Sequence, residues 1–400
     1  MSFLVFGSFF AQKYSFYFEL ANFFLTLQPK IYKMTLHIFN PEHDIALASG
    51  LSNFTAPHAG RHLRHDLGYL PAIWASEDDV IVVDDSEYAA NKWKRLAPRL
   101  ARLGETNGYK PGPRQFLTWK ELQGLADVTK EPWGWNRALR ALLLRSGLKE
   151  DQLPTTESLD TIRKLSHRRV ASSLLPQLRV EGTTGESFEC RTTEEVETLL
   201  AKYGRLVLKA PWSSSGRGLR FHSLLNAQPS IHNWINNIVA SQGSVMVEPY
   251  YNKVKDFGME FESDGEGSVR YLGLSLFQTQ NGAYTGNILA TEAVKEETMS
   301  RFLSLTLLQT VREEICRRLG KLFCDKYRGP FGVDMMVVGC GMKEEGRENL
   351  LHPCVEINLR RTMGHVALAL SPHDDDLRHV MRIDYNENVY KLRIQQQRGV

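Results

Sequence analysis

Two stretches of this chain combine residue types that could handle a phosphorylated ligand. The first is KAPWSSSGRGLRF, residues 209–221. Lys209 ends an apolar run, RLVLK, and is followed by Ser213, Ser214, Ser215, Gly216 and Gly218 before the apolar pattern resumes. Small residues let backbone N–H groups approach a polyphosphate closely, and the lysine supplies neutralising charge. The order is wrong for a Walker loop, in which Lys-Ser/Thr follows the glycines and opens a helix. A β-hairpin is expected to carry this loop instead. Taken alone, an ordinary Ser/Gly turn explains it equally well.

The second stretch is GPFGVDMM followed by HPCVEINLRR, residues 329–336 and 352–361. Asp334 interrupts an apolar strand pattern. Glu356 and Asn358 stand at i and i+2, so they face one side of the next strand. If the two strands pair, three oxygen donors converge. That set suits Mg²⁺, which takes one or two carboxylates together with phosphate oxygens and water. A solvent-facing alternation would explain Glu356, but Asp334 with its apolar flanks needs a charged partner. Arg360 and Arg361 follow at once and could reach a developing negative charge. Between these stretches lies MVEPYYNKVKDFGMEF, residues 246–261. Glu248 ends a strand, Pro249 withholds a backbone donor, and Asp256 comes after an exposed connection. Such a strand end can bind a purine through its backbone and ribose hydroxyls through a carboxylate; a hairpin with surface charges reads the same way.

The elements that must position these groups are mixed α/β. LHIFN and DVIVVDD read as strands, and residues 88–104 read as a helix ending at a glycine. Strands alternating with helices imply a largely parallel sheet, with ligands at the carboxyl ends of its strands. Asn40-Pro41-Glu42-His43-Asp44, just past the first strand, is therefore placed at a site edge, although a turn and helix cap explains it too. His58, His62 and His65 share one face of a predicted helix. Arg61 and Arg64 beside them disfavour a cation, leaving anion contact or a solvated face. Trp133 and Trp135 read as packing anchors at the entry of a helix over 132–148. Further along, 268–280 reads as one strand, NGAYTGN as a loop, and 299–323 as one long amphipathic helix.

Bulk composition narrows the classes. Four hundred residues predict two or three domains. A net charge of +3 gives no electrostatic case for nucleic acid. The 5 cysteines form no CxxC pair, which fits reduced thiols and a cytoplasmic address. The first 33 residues are rich in Phe and Tyr and make neither a good membrane span nor a good signal peptide. They are read as preceding the true start at Met34, against a membrane-associating tail or a packed helix.

Lysine with a serine-glycine hairpin, a hinge acid, then Asp…Glu-x-Asn followed by arginine: in that order the set resembles the ATP-grasp superfamily, over roughly residues 155–370. The resemblance implies an α+β ATP-grasp module preceded by a Rossmann-like parallel α/β domain. The expected layout is an N-terminal domain over 34–150 and the ATP-grasp domain over 151–375. Within the latter, a lid subdomain covers about 165–245 and a Mg/ATP subdomain about 246–375; a C-terminal segment, 376–400, follows. Activity is expected to be ATP- and Mg²⁺-dependent ligation of a carboxylate to an amine through an acyl phosphate. Small-molecule kinase activity and noncatalytic nucleotide binding are the alternatives. By position, Lys209 would hold ATP phosphates under a lid of Ser213 to Gly218. Glu248, Tyr250 and Tyr251 would line the adenine hinge, and Asp256 would meet the ribose. Asp334, Glu356 and Asn358 would hold Mg²⁺, and Arg360 or Arg361 would stabilise the acyl phosphate. The family usually has a second lysine before the lid; here Arg168 and Arg169 are the candidates, and arginine can do that work bidentately. Tyr284, Gly286 and Asn287 lie where substrate would enter. The expected partners are small-molecule acid and amine substrates, with neither nucleic acid nor membrane; homodimerisation, common among such proteins, is left open.

Overall fold

A computed structural model describes residues 34–104, 114–125, 128–213, 218–225, 230–280, 283–339 and 349–396. The aromatic stretch 1–33, the lid-loop residues Ser214, Ser215 and Gly216, and most of the charged hairpin before Leu350 lie outside them.

Four short strands build the first layer, the second of them, VIVV, a fully β-branched run. Strands β1 (Thr35–Ile38), β2 (Val80–Val83), β3 (Gln115–Thr118) and β4 (Thr129–Pro132) form a sheet in the order β3-β2-β1-β4. Every pairing in it is parallel. Helices α1 (His43–Ser49) and α2 (His58–Leu67) separate β1 from β2, and α3 (Ser86–Gly104) follows β2. All four residues of β2 are buried, as expected of a parallel strand covered on both faces. Val80 and Val82 pack with Leu139 and Leu143 on one side, and Ile81 and Val83 with Leu67 and Trp93 on the other. The helix expected over 132–148 is shorter: α4 spans Arg137–Arg145, capped by Asn136, whose side chain accepts from Leu139 N–H. Trp133 and Trp135 precede it. Trp133 packs edge-on against Phe39, and Trp135 lies against two cores.

Helices α5 (Thr156–Leu165) and α6 (Arg169–Leu174) then lead into an antiparallel sheet of β5 (Phe188–Cys190), β6 (Arg205–Lys209), β7 (Leu219–Ser223) and β8 (Val245–Pro249), in the order β5-β8-β6-β7. Helices α7 (Thr193–Tyr203) and α8 (Ser230–Gln242) back it, and Val196, Leu200, Ile231 and Ile235 close a separate apolar core. We call this the hairpin sheet, because β6 and β7 carry the serine-glycine loop.

The rest of the chain makes two more antiparallel sheets from β9 (Lys253–Ser263), β10 (Val269–Ser275), β11 (Phe277–Gln280), β12 (Ala283–Leu289), helices α9 (Glu292–Ser300) and α10 (Leu305–Phe323), β13 (Gly329–Val338), β14 (Leu350–Asn358), α11 (Met363–Leu370), β15 (His379–Asn386) and β16 (Val389–Gln396). The central sheet has the order β10-β9-β13-β14, and the last sheet β11-β12-β15-β16. Phe257, Met259 and Phe261 alternate along β9 toward the largest core, which α5, α6 and α10 cover.

Three sequence expectations are corrected. The stretch 268–280 is two strands in different sheets, divided at Leu276. NGAYTGN is not all loop: Ala283 to Asn287 belong to β12. The long helix expected over 299–323 breaks at residues 301–304, where Ser304 takes the N-cap position of α10. Apolar periodicity runs through that break because Leu303 is itself buried. The C-terminal strands tie back to the parallel-sheet layer. Asp66 of α2 is buried and accepts from Tyr390 N–H at 2.8 Å, and Met381 shares a core with Phe39 and Leu67.

Candidate active site

The strands β13 and β14 pair antiparallel with Asp334 opposite Glu356, and β9 lies on the other side with Gly258 opposite Asp334. Directly paired residues share a face. Asp256, Glu260, Asp334, Glu356 and Asn358 therefore point to one side of the central sheet. Asn358 Nδ2 donates to Asp334 Oδ2 at 3.2 Å. Burial, with the charges of Glu356 and Glu260 added, pushes the Asp334 carboxyl up to about 7. Glu260 was not singled out in the sequence. It is buried, and its Oε2 lies 3.0 Å from His365 Nδ1 without hydrogen-bond geometry, so that oxygen stays unsatisfied. Its signal was the alternation DFGMEFE, which puts Asp256 and Glu260 on the face opposite Phe257, Met259 and Phe261. Gly364 is required here, because a Cβ at that position would collide with the Glu260 carboxylate.

The two arginines that follow β14 separate. Arg360 forms a two-pronged ion pair with Asp44, Nε–Oδ1 2.9 Å and Nη2–Oδ2 2.8 Å, and Nη2 also donates to Asn358 Oδ1 at 3.1 Å. Burial opposes charge on both partners. Even so, Arg360 holds the Asp44 carboxyl below its ordinary range, and Asp44 with Glu356 and Asp334 raises the guanidinium above its own. Arg361 turns away, pairing with Glu131 at 3.0 Å and lying 4.9 Å over the Trp74 ring. Of the two candidates, only Arg360 faces the carboxylates. The NPEHD segment after β1 does border the site, as its position at a strand's carboxyl end predicts. Within it, His43 is buried against Asn136 and pushed down to about 4, mainly by burial.

The hairpin sheet approaches from the other side. Lys209 ends β6 opposite Leu219, so the serine-glycine loop joins two paired strands as expected. Lys209 Nζ donates to Glu248 Oε1 at 2.6 Å, and both side chains are buried. The loop stem is closed by Ala210 N–H to Gly218 O, and a Cβ at Gly218 would strike Ser213. Arg168 bridges the two halves. It donates to Ser213 Oγ at 2.8 Å and to the Ala210 carbonyl, and pairs with Glu356 Oε1 at 2.7 Å. Arg169, one residue on, is exposed and pairs with Glu189 at 3.5 Å. The choice between them follows from helix phase, which the sequence did not resolve.

The remaining candidates are placed as follows. Tyr250 is exposed, with the Arg205 guanidinium 3.9 Å over its ring. Tyr251 Oη accepts from Glu186 N–H at 2.8 Å. Asp256 accepts from Lys253 at 2.6 Å and from Thr279 at 2.9 Å. Tyr284 donates to Asn287 Oδ1, and buried Asn287 donates to Ser275 on the carboxylate face. Among the described residues the α2 histidines form no metal-spaced group; His62 and His65 lie beside the two oxygens of Asp66, at 3.6 and 3.2 Å.

Asp44, Ser166, Ser213, Glu356 and Asn358 line a cleft of about 10 Å³, room for about one water molecule. A larger cleft of about 590 Å³ is lined by other residues, Leu96, Arg99 and His379 among them. Among the described residues, no helix is long and apolar enough to cross a membrane.

No protein-family model matches the chain, and no curated protein does. Among solved structures it is similar to N5-carboxyaminoimidazole synthetase from Staphylococcus aureus complexed with ADP, with a TM-score of 0.47 and 11% identity, covering 89% of this chain and 83% of that one. It is also similar to a biotin carboxylase–ATP complex from Campylobacter jejuni, with a TM-score of 0.47 and 13% identity over 89% and 78% of the two chains. A third is the biotin carboxylase domain of 2-oxoglutarate carboxylase from Hydrogenobacter thermophilus, in complex with MgADP, ADP and bicarbonate, at 0.44 and 14% over 88% and 74%. These likenesses are remote.

Proposed function

We propose that this chain is an ATP- and Mg²⁺-dependent ligase of the ATP-grasp type, joining a carboxylate to an amine. The observation that carries the reading is a charge deficit. Four carboxylates, Asp44, Glu260, Asp334 and Glu356, are gathered around two guanidinium groups, Arg168 and Arg360, with the His365 imidazole against Glu260. Burial penalises unbalanced charge, so the cluster suits a bound divalent cation. Its donors are carboxylate and amide oxygens, the set a hard cation takes. Asp334, Glu356 and Asn358 would hold Mg²⁺, which when bound would neutralise phosphate oxygens and the charge that builds on them in transfer.

The protein's own groups supply the rest. Lys209 and the backbone of the serine-glycine loop bind phosphates once Lys209 parts from Glu248. Glu248 and the strand end after it face the base and ribose. Arg168 links the loop to Glu356, so the loop's position depends on how that carboxylate is engaged. The narrow cleft implies that the hairpin moves aside for the nucleotide and then closes, excluding water that would hydrolyse an acyl phosphate. A substrate carboxylate oxygen attacks the γ-phosphorus and ADP leaves. The amine nitrogen then attacks the acyl carbon, losing a proton, and inorganic phosphate leaves as the amide forms. Arg360, fixed by Asp44, is preorganised to meet the oxyanion of the second step.

The test is the thermal midpoint of the protein with Mg²⁺-ATP, with ATP and EDTA, and with neither. A ligand that binds the folded state raises the midpoint by mass action. A Mg²⁺-dependent rise, absent in Lys209→Ala and Asp334→Asn, is expected; no rise at saturating ATP removes the nucleotide site and the ligase reading together. Acid–amine pairs can then be screened by phosphate release. A phosphate ester as product, instead of an amide, would make the chain a kinase.

A further inference from the structure

Away from the carboxylate cluster, three side chains from three elements of the hairpin sheet converge. Glu197 comes from α7, His222 from β7 and His232 from the first turn of α8. Glu197 Oε1 lies 2.9 Å from His222 Nε2 and 3.0 Å from His232 Nε2, and the three atoms are all within 4.8 Å of one another. We propose that Glu197, His222 and His232 form a binding site for a divalent transition metal of the zinc type, which pins the base of the serine-glycine hairpin to the two helices behind it.

The donor set argues for the class of metal. Two imidazole nitrogens and one carboxylate suit zinc and its neighbours, whereas Mg²⁺ prefers oxygen alone. Metal–ligand bonds of about 2.0–2.1 Å in a tetrahedron put neighbouring donors about 3.3 Å apart. The two edges through Glu197, 2.9 and 3.0 Å, are within a few tenths of that value. The third edge, at most 4.8 Å, would close by a turn of His232, whose side chain is 53% exposed. Three protein ligands leave the fourth position to water.

The plain alternative is a carboxylate holding two imidazole N–H groups. Burial works against the Glu197 charge, but those two hydrogen bonds keep its carboxyl below the ordinary range. One detail favours the metal: the two rings and the carboxylate come from three separate elements and bring their ligand atoms within 4.8 Å of one another, as donors around one ion must be. Against it stands His222 Nδ1, buried without a hydrogen-bond partner, because a ring that ligates through Nε2 carries its proton on Nδ1. Placement adds a consequence. His222 pairs with Leu206 near the base of the hairpin, while Lys209 pairs with Leu219 at its tip. A metal there would pin the base of the hairpin, at the opposite end of the strand pair from Lys209.

The experiment uses the full chain, purified without a polyhistidine tag and stripped with chelator, then titrated with Zn²⁺ under excess Mg²⁺. Metal content after dialysis, thermal midpoint and the visible spectrum with Co²⁺ are the readouts. The expected result is one tightly held equivalent of Zn²⁺, a raised midpoint and the intense bands of tetrahedral cobalt. His232→Ala removes an exposed ring and is expected to leave the metal-free midpoint unchanged while weakening Zn²⁺ at least about tenfold. Glu197→Gln, which keeps the shape, is expected to do the same. Asp334→Asn is expected to retain the zinc. If the wild-type chain takes up no equivalent, or His232→Ala binds as tightly as wild type, the proposal is overturned. It also falls if Asp334→Asn loses the equivalent while His232→Ala keeps it, which would place the zinc at the carboxylate cluster.

Discussion

The two halves of the candidate active site are built on opposite electrostatic plans. On the hairpin side, one lysine meets one glutamate, and the buried pair is complete as it stands. On the central sheet, carboxylates outnumber cations, an oxygen of Glu260 is unsatisfied, and Asp334 is driven toward its protonated form. The first half must give up a good interaction to take a ligand. The second gains one. The difference teaches that ligand binding here should be ordered by charge, with the cation and its phosphates drawn to the central sheet first and the hairpin following.

The largest expected effect comes from breaking the central half. Arg360→Ala strips the partner from Asp44 and deepens the charge deficit, and should cost about 4 kcal/mol in urea unfolding, whereas Arg361→Ala should cost clearly less. Equal losses would show that Arg360 has no special place in the cluster. On the hairpin side, Lys209→Met leaves Glu248 buried and unpaired and should cost about 3 kcal/mol. The double variant Lys209→Met/Glu248→Leu should recover most of that, because a complete pair replaced as a whole loses little. A double variant worse than the single one would mean the pair contributes net stability.

Asp334 gives the opposite sign. Its folded-state value of about 7 lies above the ordinary 3.8, so the metal-free fold holds a proton there that the unfolded chain has lost. The resulting penalty is absent below pH 3.8, grows as pH rises, and is complete above about pH 7. Asp334→Asn should therefore stabilise the metal-free protein by up to about 4 kcal/mol at pH 8 and leave it nearly unchanged near pH 4. Added Mg²⁺ should reverse the order of the two proteins at pH 8. A destabilised Asp334→Asn at pH 8 without metal would refute the charge deficit. The smallest effect belongs to His43. It is held to about 4 when folded and returns to 6.5 when unfolded, so the unfolded chain binds the extra proton between those values. Stability is then full above pH 6.5 and falls as pH drops toward 4, by about 1 kcal/mol between pH 7 and 5.5. His43→Gln should flatten that segment of the unfolding profile by the same amount.

How much of this was legible beforehand depended on range. The Lys209 hairpin and the Glu356/Asn358 face are local patterns, readable from spacing of two and from small residues between strands. Pairing of β13 with β14 was a conditional guess that the register satisfied. The Asp44–Arg360 pair joins residues 316 positions apart, and nothing in either neighbourhood specifies the other. Glu260 was hidden for a different reason. Its own strand marks the correct face, but its importance comes from Gly332 opposite it and Gly364 above it, two glycines whose empty space only the assembled sheet defines. Arg168 and Arg169 differ only in helix phase at the start of α6. The break before α10 escaped notice because a buried leucine in a turn keeps the apolar count of a helix.

The hydrogen bond from Tyr390 to Asp66 has a consequence for biosynthesis. A ribosome delivers the parallel sheet and α2 before the other three sheets, yet the amide that bonds the second oxygen of buried Asp66 and the Met381 side chain that completes the adjoining core arrive with the last strands. The parallel-sheet layer, though made before the other sheets, is thus finished last, and an interrupted product lacking β15 and β16 would leave it with an open apolar face, ready for a chaperone or a protease.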